Sequence, residues 1–152
     1  MATMQCDIVT QERVLFSGQV NAVSLPGTEG RMGILPNHSA LLTSLGFGEI
    51  ILRTGDQEQY FAVGGGFAEV QPEKVVVLAD TAEHAEEIDI DRAERARARA
   101  EKFMKEGVPE DPERYAQFRA SLQRAQIRID VARRRRRRTT LPTLGEKSED
   151  ES

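Results

Sequence analysis

The chain changes character at one point. From Ile88 to Glu106 it contains neither proline nor glycine, and alanine and arginine dominate, both strong helix formers. The 87 residues before it read as short β-rich runs cut by turn residues. Met4, Cys6 and Ile8 alternate with polar neighbours, Val14 to Phe16 ends at Ser17-Gly18, and Val20 to Leu25 ends at Pro26-Gly27. Glu49 to Arg53 precedes the turn Thr54-Gly55-Asp56, and Gln59 to Val63 follows it. Gly64-Gly65-Gly66 interrupts that run, Phe67 to Val70 resumes it, and Pro72-Glu73 turns into Val75 to Leu78. Runs of this length and spacing predict an antiparallel sandwich or barrel. No helix-period segment separates them, which argues against a parallel βαβ sheet.

Past residue 88 two helices are predicted. Asp89 caps the first, which Gly107 and Pro109 stop. Asp111-Pro112-Glu113 starts the second with a cap acceptor, a proline at the first helical position and an acid in the first turn. It extends to about Arg138. The first helix carries Ala93, Ala96, Ala100 and Phe103 on one narrow stripe, and the second carries Tyr115, Phe118, Leu122, Ala125, Ile129 and Ala132. Stripes spaced by threes and fours predict an antiparallel hairpin with a coiled-coil seam. Small alanines bury little area, at about 25 cal/mol per Å², so the hairpin is expected to be marginal and easily opened. At about 1.5 Å per residue the helices rise about 27 Å and about 40 Å, so the second overhangs the first beside the sandwich. Residues 139–152 are polar and acidic and are expected to be a disordered tail. The expected units are thus 1–87, 88–138 and 139–152.

Charge follows the same division. Residues 1–87 hold 12 acids and 4 bases, whereas residues 92–138 hold 7 acids and 16 bases. The overall charge of −4 hides an acidic body bearing a basic arm. The single cysteine, Cys6, rules out an internal disulfide, a cysteine zinc site and an iron–sulfur cluster. No apolar run is long enough to span a membrane, and no basic-then-apolar leader opens the chain, so neither a spanning nor a secreted protein is expected.

Catalytic chemistry is not visible. Gly27-Thr28-Glu29-Gly30 lacks the Gly-Lys-Ser/Thr ending of a phosphate loop, and the triple glycine leads into a strand, where it fits a bulge or a close approach of backbones. His38 and His84 have no ligand spacing between them, and no metal site is expected. The arginines leave two readings open. Arg92, Arg95 and Arg99 share one face of the first helix, and Arg124 and Arg128 one face of the second. They either gather around an anion such as a polyphosphate or lie on solvated faces laced by pairs one turn apart. The run Arg133, Arg134, Arg135, Arg136, Arg137 and Arg138 complements a helix C-terminus yet repels itself, which an acidic partner would relieve. Nucleic acid is one such partner. The absence of a nucleic-acid motif and of tryptophan, and the acidity of the body, argue against it.

Several strings resemble one family. Gly33-Ile34-Leu35-Pro36-Asn37-His38 with Ala40-Leu41-Leu42, the stretch Tyr60 to Val70, and Ile88-Asp89-Ile90-Asp91-Arg92-Ala93 occur in the order found in the epsilon subunit of bacterial and chloroplast F-type ATP synthase. The match spans residues 4–132 or so. The resemblance implies a sandwich of about ten strands followed by the hairpin, and a non-catalytic subunit of the rotating central stalk. It implies docking on the gamma subunit and on the c-ring, coupling of proton flow to ATP synthesis, and a peripheral place on the cytoplasmic face of the inner membrane. It further implies that the helices can open and rise into the alpha/beta catalytic head, where they inhibit hydrolysis. No cofactor is required, but ATP is implied as a regulatory ligand of the folded hairpin. The positions carried over are Glu83, Ile88, Asp89, Arg92, Ala93 and Arg99, with Arg124 and Arg128 from the second helix. The connection Gly107-Val108-Pro109, the six arginines and the acidic tail depart from the family pattern. A basic inhibitory segment at Arg133 to Arg138 is our own expectation. In the folded state it would lie near the acidic body and help hold the hairpin down.

Overall fold

A computed structural model describes residues 2–107 and 110–140. Eight strands come first: β1 (Met4–Val9), β2 (Val14–Val20), β3 (Ala22–Gly27), β4 (Gly30–Ile34), β5 (Leu41–Thr54), β6 (Gln57–Gln71), β7 (Lys74–Ala79) and β8 (Ala82–His84). A 3-10 turn, Ala85–Glu87, leads into α1 (Ile90–Glu106), and α2 (Pro112–Thr140) follows. The strands hydrogen-bond in the order β2-β1-β7-β6-β5-β3-β4, with β8 added on β6. Strand β2, at one end of that order, lies against β5 and β8, so the ladder folds over on itself into a sandwich.

Among the described residues there are eight strands, roughly the ten that the resemblance implies. The runs on either side of the triple glycine are one 15-residue strand, β6, whose partner β5 is 14 residues long. The glycines mark a change of neighbour within β6: Phe61–Val63 pairs with β8, whereas Gly66–Gln71 pairs with β7. Gly66 has a φ of 122°, and a Cβ there would sit 2.1 Å from the Leu78 carbonyl oxygen. The close backbone approach read from the sequence is therefore present, but it bends the strand without ending it. Likewise β2 runs on through Ser17-Gly18. One pairing is parallel, β1 with β7, and no crossover helix joins them, since the strands between return the chain.

Alternation puts Met4, Cys6 and Ile8 of β1 inside with Val75 and Val77 of β7, and Phe61 centres the core. Burial first, and the Asp7 charge second, push the Cys6 thiol up to about 12, so it behaves as a small apolar residue.

The helices start as their caps dictate. The Asp89 carboxylate accepts the Arg92 amide at 3.1 Å, and the Asp111 carboxylate accepts that of Glu113 at 3.0 Å. Gly107 ends α1 at a φ of 146°. The helices pack antiparallel: Phe103 stacks on Phe118 with ring centroids 4.5 Å apart, and Arg97 reaches Gln126 nearer the sandwich. Ala93, Ala100, Ala125, Ile129 and Ala132 are buried along the seam. Helix α2 runs two residues beyond Arg138, and the expected tail from residue 141 onward lies outside the described residues. Among the described residues no helix is long and apolar enough to cross a membrane.

Candidate functional site between hairpin and sandwich

The hairpin is not held by its seam alone. Val131 and Ala132 of α2 pack on Ala62 of β6, Ala85 of the 3-10 turn and Ile88, forming a second apolar cluster flanked by Tyr60, Ile90 and Ile127. The joint is tied on the other side by Arg13, whose guanidinium donates to Glu87 at 2.9 Å and holds that carboxyl below its ordinary value. His84 Nε2 lies 2.9 Å from the Leu15 carbonyl, and its ring sits 4.7 Å from Phe61, which gives that histidine a packing role at the joint.

Between the cluster and the distal seam the surfaces part, leaving a pocket of 450 Å³. The sandwich contributes Ala62, Val63 and Gly64 of β6 and Thr81, Ala82 and Glu83 around β8. The hairpin contributes Arg92 and Ala96 of α1 with Ser121, Arg124, Ala125, Ile127 and Arg128 of α2. The volume falls within the range of small-molecule sites, about 300–1,000 Å³. Three guanidiniums face one carboxylate there. Arg128 Nε donates to Glu83 at 2.7 Å, and Arg124 donates to the Ser121 hydroxyl at 3.3 Å. Guanidinium groups beside an apolar wall can give charge-assisted bonds to an anion and cover an apolar part attached to it.

Four of the eight carried-over positions, Glu83, Arg92, Arg124 and Arg128, line this pocket. Three others position the first turn of α1: Ile88 is buried in the second cluster, Asp89 is the cap, and Ala93 is fully buried. Arg99 is exposed two turns further along and does not line the pocket. Sequence reading missed Thr81, Ala96 and Ser121, small residues whose place is decided by what folds against them.

Helix α1 also carries pairs one turn apart, Arg97 with Glu101 and Lys102 with Glu106. The arginine run begins differently. Arg133 pairs with Glu94 of α1, Arg134 with Glu49 of β5 at 3.4 Å, and Arg135 with Glu86 at 3.1 Å. The side chains of Arg136, Arg137 and Arg138 lie outside the described residues.

Fold and site define a class: a β-sandwich carrying a two-helix hairpin, with an arginine-lined cleft at the junction. Residues 3–85 match the family model described as ATP synthase, Delta/Epsilon chain, beta-sandwich domain, and residues 86–133 match its long alpha-helix domain. The ATP synthase epsilon chain of Dehalococcoides mccartyi is 50% identical over 138 residues, covering 90% of this chain and 97% of that one. Among solved structures, a chain of the Euglena gracilis mitochondrial ATP synthase OSCP/F1/c-ring superposes with a TM-score of 0.71. Its identity is 23%, over 83% of this chain and 79% of that one. A chain of the Tetrahymena thermophila mitochondrial ATP synthase central stalk and c-ring gives 0.62 at 12% identity, over 85% and 96%. The chain belongs to the ATP synthase delta/epsilon family, as an epsilon-type accessory subunit and not a catalytic one.

Proposed function

We propose that the chain is a rotor subunit of the central stalk of a proton-translocating F-type ATP synthase. Residues 1–87 dock on the gamma subunit and the c-ring, which places the protein peripherally on the cytoplasmic face of the membrane. The helical part, 88–138, is regulatory: closed, it binds ATP, and opened along gamma it reaches the alpha/beta catalytic head and inhibits hydrolysis. Support for the rotor role comes from family membership and from fold neighbours described as F1/c-ring and central-stalk assemblies.

The nucleotide role rests on one observation above the others. Arg92, Arg124 and Arg128 come from two helices, yet they line one pocket with Glu83 on the sandwich. A ligand spanning those elements binds the closed hairpin and not the open one, so it shifts the balance by its differential affinity. The guanidiniums would take the phosphates, and the apolar wall at Ala62, Val63 and Ile127 would take the base. Calorimetric titration of the full chain with ATP tests this. Saturable binding is expected, weakened by about tenfold or more in Arg92→Ala and in Arg128→Ala, since each removes a charge-assisted contact. No binding at millimolar ATP, or binding indifferent to both substitutions, contradicts the nucleotide role. Co-purification with gamma tests the docking role separately.

A further inference from the structure

Consecutive residues on a helix point about 100° apart, so three in a row cover more than half its circumference. Arg133, Arg134 and Arg135 nevertheless all meet carboxylates, because this stretch of α2 has acids on three sides. Glu94 stands on α1, Glu49 on β5 and Glu86 on the 3-10 turn. Ion pairs on open surface are weak, and of these carboxylates Glu86 is well exposed and Glu94 half-buried. Glu49 differs. Its side chain is 4% exposed, at the β5 position opposite Ala62, which carries Val131 and Ala132. Arg134 places its guanidinium Nε 3.4 Å from the carboxylate.

We propose that Arg134 and Arg135 form an ionic clasp that holds the hairpin closed on the sandwich, with Arg134–Glu49 as its centre, while Arg133–Glu94 fastens α2 to α1 within the hairpin. Glu49 and Glu86 belong to parts that the hairpin leaves when it swings away from the sandwich, so those two pairs are lost together. The clasp is then a second determinant of closure beside the pocket, one that responds to ionic strength and needs no nucleotide. It rests on the reading that the hairpin opens, and the test separates the two.

Dyes on the substitutions Asp56→Cys and Gln117→Cys, both at exposed positions, report the distance between sandwich and α2 by energy transfer. Cys6 is buried with its thiol pushed up to about 12 and does not compete for label. Measurements are made on the full chain without ATP. Raising salt from about 0.1 M to about 1 M shortens the screening length from about 10 Å to about 3 Å, and the open fraction should rise. Arg134→Gln and Glu49→Gln should each raise the open-to-closed ratio by about tenfold. Arg135→Glu and Glu86→Arg should open the hairpin singly and restore closure when combined, a rescue that misfolding cannot produce. Val131→Asp, which breaks the apolar cluster, serves as the opening control. If it opens the hairpin while salt, the clasp variants and the swap leave transfer unchanged, the clasp is overturned and hairpin motion stands. If Val131→Asp also leaves transfer unchanged, both fall.

Discussion

Gly66 shows how one residue decides a fold that its neighbours only permit. Its positive φ and the nearby Leu78 carbonyl leave no room for a side chain, and there β6 passes from β8 to β7. Gly66→Ala should cost roughly 2 kcal/mol or more in denaturant unfolding of the sandwich; a loss below about 0.5 kcal/mol would contradict the assigned backbone. Glu87 makes the corresponding case for charge. Its hydrogen bond to Arg13 lowers its folded pKa beneath the ordinary 4.5. The pair therefore contributes its full stability above that value and loses it as the pH falls through the lower folded value. Thermal unfolding of Glu87→Gln should run slightly below the parent chain at neutral pH and converge with it as acid protonates Glu87. Curves that stay parallel to low pH would show that the pair does not titrate as assigned.

At the scale of elements, much of the hairpin was legible because its signals are local. Asp89 and Asp111-Pro112 start the helices through bonds within one turn, and the stripe from Ala93 to Phe103 needs only the helical period to be seen. The sandwich was legible as strands but not as long ones, since a glycine inside a strand and a glycine ending one look alike until the neighbouring backbone is known. The same limit applies to the site. Guanidiniums announce themselves, whereas Thr81, Ala96 and Ser121 line the pocket only because α1 and α2 close on β8. Glu49 looked like one acid among twelve in the first 87 residues, and only packing shows it buried beneath α2. The alanine seam is thin, and Phe103 stacked on Phe118 anchors its distal end while still half exposed. Phe103→Ala should destabilise the hairpin by about 1 kcal/mol and leave the sandwich unchanged. Hydrogen exchange resolved by segment checks this, with faster exchange confined to α1 and α2. Equal protection in both helices before and after the change would remove the stack from the account.

For the whole molecule, the mean charge of −4 is the least informative description. An acidic sandwich with its own core carries a basic hairpin closed over it, and at the joint three successive arginines meet three glutamates beside a pocket rich in guanidinium. In the proposed function, a hairpin held by a thin seam, a small apolar cluster and several ion pairs passes between closed and open states. The sandwich has a separate and larger core, so the docking proposed for it does not depend on the state of the hairpin. ATP hydrolysis by the assembled complex, with the full chain or with one ending at residue 87, tests that division most directly. The account predicts that both chains assemble on gamma and that the shortened one hydrolyses ATP faster. Equal rates in the two assembled complexes would contradict a regulatory hairpin, and failure of the shortened chain to assemble would contradict a sandwich that docks by itself.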